Sequence, residues 1–531
     1  MNYPVWDVAF GAGLLMAMVA ILHVFVSHFA VGGGLFLVLT ERRARRSNDT
    51  ALLGWLKKHT KFFVLVTVVF GAISGVGIWF TIGLISPTAT SNLIHIYVWG
   101  WAIEWVFFFI EITAALLYLY GWDKLEPRLH EWYGWIYFIA AYLSLVIING
   151  IITFMLTSGS WIRNHQFWRG FFNPTYFPSL AFRTAIALAL AGIYALITAS
   201  LQKDAALKAR IVRWSAWWIV PAFAVLPLLA WWYVRRIPAD TWANARGLMP
   251  TATHYALFAV VLLSVTFVLA LLSLVRPGRM HLSFSLLVAL VALGAMGSFE
   301  FVREAIRKPY VISNYLYANS LYSTQIPGDG GFSEDEVSAT GILQAAKWID
   351  TRELTDANQV AVGHEIFRVE CQSCHTANAY RGLGHYLTLR QWDQNKIQAM
   401  VGGLEFMHNG VMPAFAGTDA ERAALAAYLS TVAPEYRLEV LPGGATVAAT
   451  DGQTVYEQNC SMCHRVTASD PLFKNLPQNP NAASDAMKDL TTLFPLMPDL
   501  KLTDQQRMAL AQWVNAQRAA KGIAVAPQGG N

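Results

Sequence analysis

Two short motifs place cysteine and histidine at the spacing that attaches a haem covalently. Both read C-x-x-C-H, and their residues are Cys371, Cys374 and His375 in the first copy and Cys460, Cys463 and His464 in the second. Two thiols three positions apart can add to the two vinyl groups of one haem, and the next imidazole then reaches the iron from the same side. One copy alone would also be compatible with a zinc site or a thioredoxin-like function. The chain has 4 cysteines, all of them in the two motifs, so a zinc site at each motif would lack ligands. The motifs predict two covalent haem c groups.

A Met-Pro pair follows each motif, just ahead of a predicted helix. Met412 precedes a helix expected near Thr418, and Met497 precedes a helix expected near Thr503. A thioether ligand raises the redox potential of a haem. We predict Met412 and Met497 as the sixth iron ligands; the alternative is a core methionine, with histidine or water on the iron. The competing methionines without a following proline are Met407 and Met487. Haems with both axial positions filled by protein transfer electrons rather than bind gas.

Ionisable side chains also occur within long apolar stretches, where burial is costly and usually marks function. They are His23 and His28 in the first stretch, Glu104 and Glu111 in the third, and Glu300 and Glu304 in the eighth. Glu104 and Glu111 are two helical turns apart, so both carboxylates lie on one face. Such a set could ligate haem iron or conduct protons, whereas any one member alone could be a hydrogen-bonded structural residue.

Eight apolar runs predict the elements that position these groups, because a run of about 20 residues crosses a bilayer. They lie near 8–39, 61–86, 95–121, 132–157, 179–201, 214–233, 254–275 and 281–303. Hydrophobic residues make up 55% and charged residues 14% of the chain, more apolar surface than one soluble core buries. The expected fold is all-α: a membrane bundle of about eight helices, then two small helical cytochrome c domains.

Basic residues cluster on alternate connections between these runs. They are Arg42, Arg43, Arg45, Arg46, Lys57 and Lys58, then Lys203, Lys208, Arg210 and Arg213, then Arg276 and Arg279. Positive connections stay in the cytoplasm. We therefore expect a multi-pass membrane protein with the N-terminus and everything after residue 304 outside the cytoplasm, which in a bacterial inner membrane is the periplasmic side. Residues 1–7 carry no basic region, so the first run is expected to be a retained span.

The C-terminal part has a different composition and an internal repeat. A Gly- and acid-rich stretch, 327–336, precedes two segments that each open with an amphipathic helix ending in the cysteine motif. The expected division is 1–312 for the membrane domain, 313–354 for a linker, and 355–440 and 441–531 for the two cytochrome c domains. Acidic residues outnumber basic ones here, which argues against nucleic acid; they fit either a basic soluble electron carrier or an ordinary solvated surface.

Four stretches of the membrane part carry a specific likeness. They are His23 to Glu41 (HVFVSHFAVGGGLFLVLTE), Gly71 to Gly75 (GAISG), Ala102 to Thr113, and Glu304 to Ile312 (EAIRKPYVI). They resemble the first, second and third helices of the large, haem-carrying subunit of cytochrome bd oxygen reductases, and its segment in which a haem-ligating glutamate precedes an arginine and a proline. The resemblance covers about residues 1–312.

This resemblance implies a di-haem active site, with two or three non-covalent haems of b or d type in the membrane. His23 and Glu304 would be axial ligands. Glu104 would be a further ligand or a proton-transfer group beside the gas-binding iron, and Glu111 would belong to the proton path. Arg307 would hold haem propionates near the outer face. The family also leads us to expect a second membrane subunit.

The sequence departs from that family in four places. Arg183 stands where the family has the histidine of a third, electron-receiving haem, and the seventh helix offers no methionine partner. A long quinol-binding insertion is absent between the sixth and seventh helices, and the cytochrome c segments replace the last helix. The chain therefore resembles the bd-type relatives with fused cytochrome c domains, in which c haems replace quinol as the electron source.

The leading hypothesis is a terminal oxidase that takes electrons from a periplasmic donor, such as a soluble cytochrome c, and reduces O2 to water. One alternative has the same layout and reduces nitric oxide. Another is an electron relay from quinol to a soluble carrier, without gas chemistry. A cytochrome c merely anchored by helices would leave the buried acids and histidines unexplained.

Overall fold

The computed structural model describes residues 3–323, 332–390, 392–440, 451–461, 464, 466–467, 470–488, 500 and 502–524. The chain divides into two compact units: Leu15–Leu316 form one, and Met1–Leu14 with Tyr317–Asn531 form the other.

The first unit is a bundle of long helices. Its first helix, α1 (Ala12–Arg46), begins three residues before the unit does. The elements that follow are α2 (Thr50–Val64), a π-helical turn (Leu65–Phe70), α3 (Gly71–Ile85), α4 (Pro87–Ile96), α5 (Val98–Gly121), α6 (Pro127–Leu156), α7 (Trp161–Asn164), α8 (Phe167–Phe171), α9 (Tyr176–Ser200), α10 (Ala205–Val234), α11 (Ala239–Ala243), α12 (Pro250–Val275), α13 (Leu282–Ala305) and strand β1 (Tyr310–Ile312). In the described part of the chain, 8 helices are long and apolar enough to cross a membrane: α1, α2 joined to α3, α5, α6, α9, α10, α12 and α13. The predicted all-α membrane bundle is confirmed.

Two glycines let α9 pack closely at the centre of the bundle. A Cβ on Gly32 of α1 would lie 1.9 Å from the carbonyl oxygen of Ala187 in α9, and one on Gly192 would lie 2.5 Å from the carbonyl oxygen of Ser215 in α10. Small residues at such contacts let helix backbones approach each other in a membrane. The close contact of α1 with α9 fixes which of their side chains face each other.

The second unit holds the two cysteine motifs in two separate apolar cores. The boundary between the units falls within β2 (Leu316–Tyr317), and the elements after it are α14 (Glu334–Thr340), α15 (Ile342–Ala345), α16 (Gln359–Glu370), α17 (Leu383–Arg390), α18 (Gln394–Val401), α19 (Asp419–Val440), α20 (Gly452–Asn459), α21 (Pro471–Asn475), α22 (Pro480–Ala486) and α23 (Asp504–Lys521). The helices expected near residues 418 and 503 are α19 and α23.

Both halves of this unit share one plan. Helix α16 ends directly before Cys371, and α20 ends directly before Cys460. A Cβ on Gly363 of α16 would lie 2.1 Å from a carbonyl oxygen of α19. A Cβ on Gly452 of α20 would lie 2.1 Å from a carbonyl oxygen of α23. In each half, the helix that leads into the motif therefore crosses the C-terminal helix at a glycine.

Candidate functional site

His23 lies in α1 and faces α3. Its Nδ1 is 3.1 Å from Ser74 Oγ, and the Ser74 hydroxyl donates to the carbonyl of Phe70 at 2.8 Å. A hydroxyl has one proton, so Ser74 accepts from the Nδ1–H of His23, and the lone pair of His23 is on Nε2. Gly75 makes room for the ring, because a Cβ there would lie 3.1 Å from Cε1 of His23. The imidazole is thus held in the tautomer that ligates a metal through Nε2.

The two carboxylates of α5 both meet hydroxyl groups of α6. Ser144 donates to Glu104 at 2.9 Å. The hydroxyl of Tyr137 lies 3.0 Å from Glu111 and 3.1 Å from the carbonyl of Ala30 in α1. The structure thus places both carboxylates on the face of α5 that meets α6, as the spacing predicted.

Glu304 lies in the last turn of α13, and its side chain is 46% exposed. Its carboxylate pairs with Arg307 and with Lys308, the latter at 3.3 Å. Arg307 is buried and also donates to the carbonyl of Val311 at 2.6 Å. The structure joins Glu304 to Arg307 directly, whereas none of the described hydrogen bonds links Glu304 to His23.

Arg183 lies in α9 opposite α1 and α13. Its Nη1 is 3.4 Å from Nε2 of His28, and its Nη2 is 3.6 Å from Glu300 Oε1. The other oxygen of Glu300 accepts from Arg303 at 2.7 Å. A small cavity of about 40 Å³ borders this cluster, and its lining is Phe25, His28, Phe182, Arg183, Ile186, Ala189, Leu190, Ile193, Phe223, Leu263, Ala292, Ala295, Met296, Phe299 and Glu300.

Sequence reasoning missed a buried polar cluster at the other end of α1. Glu41 accepts hydrogen bonds from Arg45 at 2.7 Å and from Tyr118 at 2.7 Å. His130 at the start of α6 reaches Glu41 at 2.8 Å through Nδ1 and the carbonyl of Tyr118 at 2.8 Å through Nε2. The sequence shows Glu41 at the end of an apolar run, which is a signal for a buried acid. Its partners Tyr118 and His130 lie in α5 and α6, and residue spacing does not predict that these helices meet α1 there.

The first cysteine motif forms one tight turn after α16. The amide of His375 donates to the carbonyl of Cys371 at 2.9 Å. Nδ1 of His375 lies 3.4 Å from the carbonyl of Arg381, a contact that fits a protonated Nδ1 and a ligating Nε2. Met412 is half-buried in the segment before α19, and Met407 is buried.

The second motif repeats this arrangement. The amide of His464 donates to the carbonyl of Cys460 at 2.9 Å, and Nδ1 of His464 is 3.0 Å from Asp470 Oδ1. Nε2 of His464 is buried and has no hydrogen-bond partner within the described structure, as expected of a nitrogen that ligates iron. Cys463 and Met497 lie outside the described residues, and Met487 is buried in the core of this half.

The comparisons with known proteins match both parts of the chain. The family described as "Cytochrome bd terminal oxidase subunit I" matches residues 12–236, and that described as "Cytochrome C oxidase, cbb3-type, subunit III" matches residues 358–429 and again 447–514. The chain is thus similar to a cytochrome bd subunit I over residues 12–236 and, twice, to a cytochrome c subunit nearer its C-terminal end. These two likenesses support a haem-containing transmembrane oxidoreductase of electron transport.

A solved structure supports the fold of the bd-like domain. "The structure of bd oxidase from Geobacillus thermodenitrificans" is similar over 57% of this chain and 89% of that chain, with a TM-score of 0.50 and 16% identity. No curated protein matches the chain. The family match of the bd-like domain ends at residue 236, so the likeness of the Glu304 segment depends on the residues of that segment itself.

The donor set is compatible with haem. Across the described residues, no group of three or more His, Cys, Asp or Glu side chains could hold a metal ion. Haem brings four nitrogen ligands of its own and needs only one or two from the protein. Single histidines with a fixed Nδ1, namely His23, His375 and His464, meet that need.

Proposed function

We propose that this protein is a terminal oxidase that takes electrons from a periplasmic donor through two c-type haems and reduces O2 to water at a membrane di-haem site. The observation that carries the proposal is the His23–Ser74 hydrogen bond. It lies within the part of the chain that matches the bd family, and it commits Nδ1 while leaving Nε2 to ligate iron.

Four residues of the membrane domain would serve the non-covalent haems. His23 and Glu304 would be axial ligands. Glu104 would lie at the gas-binding iron, and Arg307 would pair with haem propionates. Bound haem supplies redox-active iron with an open position for O2. The carboxylate of Glu304 is paired with Arg307 and Lys308, so binding iron would replace part of this pairing.

The reduction of O2 also consumes protons, and α5 carries groups suited to deliver them. Glu111 is hydrogen-bonded to Tyr137, and Glu104, two turns nearer the N-terminal end of α5, is hydrogen-bonded to Ser144. Carboxylates and hydroxyls in hydrogen-bond contact are the side chains that relay protons in membrane proteins. We assign Glu111 to the path and Glu104 to its end at the haem.

The charge distribution supports the periplasmic side for electron delivery. The last turn of α1 contains Arg43, Arg45 and Arg46, and such basic ends stay in the cytoplasm. The start of α1, and after an even number of crossings the cytochrome c domains, then lie outside, where a soluble donor reaches them.

The outward faces of α5, which include the exposed Trp99 and Trp105, are free to meet lipid or a second membrane subunit.

The test is gas uptake by the purified protein, reduced with ascorbate and an artificial electron mediator. We expect O2 uptake with water as product, and a carbon monoxide difference spectrum from a non-c haem. His23→Ala should abolish both, while His95→Gln, which changes an exposed histidine of α4, should leave both intact. Uptake of nitric oxide without O2 uptake would replace the proposal by nitric oxide reduction. A missing carbon monoxide response would favour a relay without gas chemistry.

A further inference from the structure

The first cytochrome c half contacts the stretch of chain that leads into α1. Oδ2 of Asp7 lies 3.8 Å from Nε2 of His364 in α16. A Cβ on Gly13, in the first turn of α1, would lie 4.0 Å from the carbonyl oxygen of Ser373. Ser373 stands between the two cysteines of the first motif. The loop that attaches the first haem therefore lies beside the first turn of α1.

Helix α1 continues from this contact towards His23. The imidazole of His23, held by Ser74, lies about three turns after Gly13 in the same helix. Electron transfer between two cofactors slows steeply as the distance between them grows. The first covalent haem is therefore the better placed of the two to pass electrons to an iron held by His23.

The second half meets the first half through α17 and the loop after it, and both halves belong to one compact unit. Helix α17 packs against α20, which ends directly before Cys460. In the loop between α17 and α18, Nε1 of Trp392 donates to the carbonyl of Gln458 at 3.3 Å. Nearby, Nζ of Lys396 lies 3.5 Å from Oδ1 of Asn459. The first half thus contacts the two residues that precede the attachment point of the second haem.

Trp392 connects this contact to the core of the first half. Its side chain is 8% exposed and belongs to the apolar core against which Cys371 packs. Its amide donates to the carbonyl of Leu387 in α17 at 3.3 Å. The start of α17 is bonded in turn to the first motif, because the amide of Leu383 donates at 2.9 Å to the carbonyl of Thr376, the residue after the motif. A buried indole with its N–H bonded across an interface is a common anchor between two packed units.

We propose that the two c haems act in a fixed order. Electrons enter at the haem of the second motif, cross to the haem of the first motif at the Trp392 contact, and leave from there along the side that faces α1. At each step one ferrous haem loses one electron and the next ferric haem gains it. Four such transfers, with four protons, reduce one O2 to two waters. The inference rests on the proposed function in requiring both c haems and a membrane haem that accepts their electrons.

Trp392 is a positioning residue in this order. It is not itself oxidised, and its hydrogen bond to Gln458 holds the two attachment loops at a fixed separation. Its loss should therefore slow the transfer between the two c haems and leave the transfer from the first haem to the membrane haem unchanged.

The test injects single electrons into a chosen half of the full-length protein. A tris(bipyridine)ruthenium photosensitiser is attached to an introduced thiol, either at Gln453→Cys in α20 or at Ala361→Cys in α16, both exposed positions. After a flash, the absorbance of c and non-c haems is followed without O2 and under carbon monoxide, which traps a reduced gas-binding iron. In the otherwise unchanged protein, we expect electrons from both labels to reach the non-c haem, after a longer lag from Gln453→Cys.

Trp392→Leu is then combined with each label. The fast reduction of the non-c haem should be lost with the label in the second half and retained with the label in the first half. Trp348→Leu, at a 59% exposed tryptophan, is the control and should change neither. Unchanged rates with both labels would overturn the role of Trp392. Equal slowing with both labels would also overturn it, because a merely structural residue would act in that way.

A second experiment tests the order without a change at Trp392. Replacing both cysteines of the first motif by alanine should stop electrons from the Gln453→Cys label at the remaining c haem. Replacing both cysteines of the second motif should leave transfer from the Ala361→Cys label intact. The opposite pattern, transfer in both variants or transfer in neither would overturn the order. Correct order without O2 uptake would refute only the oxidase function, and O2 uptake with the reverse order would refute only this inference.

Discussion

Gln372, the residue after the first cysteine of the first motif, donates a hydrogen bond from Nε2 to the backbone carbonyl of Trp6 at 2.7 Å. The N-terminal segment before α1 therefore packs on the first cytochrome c motif; Val8 in this segment and Ala12, the first residue of α1, are buried. At Gly11 the chain turns with a φ of +116°, and a Cβ there would lie 3.3 Å from the side chain of Thr376. The residues that lead into the first membrane helix are thus part of the haem c unit.

Loss of this hydrogen bond should weaken the first cytochrome c domain. Gln372 is 4% exposed, so we expect Gln372→Ala to lower the free energy of unfolding by about 1 kcal/mol. Asp7→Asn is the matched control, because the Asp7–His364 pair is half-exposed and 3.8 Å long, and such pairs contribute little. Denaturant titration followed by c-haem absorbance measures both. Equal destabilisation by the two changes would contradict this account.

The sequence located all eight spans but not all of their ends. The second membrane span was expected at residues 61–86, whereas the helix that forms it begins at Thr50. Lysines interrupt the apolar run there, yet Trp55, His59 and Phe63 are buried on one face, so the helix begins as an amphipathic one. The first was expected from residue 8 and begins at Ala12, because the preceding residues pack on the haem c unit. Hydropathy measures composition and does not report which face or neighbour buries a residue.

The candidate site shows the same limit. The cysteine motifs are local patterns, so the sequence alone identifies all of their residues. The partners that orient the other groups are distant in the chain: Ser74 for His23, Tyr137 for Glu111, and Arg183 for Glu300. Spacing places Glu104 and Glu111 on one face, but only the packing of α5 on α6 supplies their hydroxyl partners.

Glu370, just before the first motif, should make the stability of this domain depend on pH. Burial raises the pKa of Glu370 well above its usual range, and nearby Glu421 and Glu334 add to this. Only the amide of Ala416, at 3.4 Å, donates to the carboxyl among the described bonds. The folded state keeps the proton after the unfolded chain has lost it near pH 4.3. Stability therefore falls as pH rises from there to the raised pKa, by up to about 1.4 kcal/mol per unit.

Glu370→Gln removes that titration and keeps the shape of the side chain. We expect the variant to be more stable than wild type at neutral pH and its unfolding free energy to vary less between pH 4 and 7. Denaturant titrations at a series of pH values measure both. A variant that follows the same pH curve as wild type would show that Glu370 ionises normally in the folded protein.

The choice between Met412 and Met407 as sixth ligand predicts a difference in redox potential. A thioether on the iron raises the potential of a c-type haem, so Met412→Ala should lower the potential of one of the two c haems. Met407 is buried, and Met407→Leu preserves its apolar packing, so both potentials should stay unchanged in that variant. Spectroelectrochemical titration distinguishes the two. A lowered potential in Met407→Leu alone would reverse the assignment.

Tyr137 should support proton delivery through Glu111. Tyr137→Phe removes the hydroxyl that lies 3.0 Å from the carboxylate. A lost buried hydrogen bond costs about 1–3 kcal/mol, and about 1.4 kcal/mol on the rate-limiting barrier slows turnover roughly ten-fold. Tyr142→Phe, which removes a hydroxyl of the same helix from Thr184, is the control and should leave O2 uptake unchanged. If both variants turn over at the wild-type rate, Glu111 works without Tyr137.

Ser74 should determine how tightly His23 holds its haem. Partners that fix the second nitrogen of a ligating histidine typically change metal affinity or activity by about 10–100-fold, and Ser74→Ala removes this one. Ser264→Ala is a matched control, since Ser264 bonds only to a carbonyl of its own helix in the described structure.

Gly75→Ala tests the same point sterically, because its methyl group would lie 3.1 Å from Cε1 of His23 and must displace the ring. We expect both Ser74→Ala and Gly75→Ala to lower the ratio of extractable to covalent haem and to alter the non-c haem spectrum, with Ser264→Ala like wild type. An unchanged haem ratio in both would mean that His23 is a packed core histidine and that the membrane iron is held elsewhere.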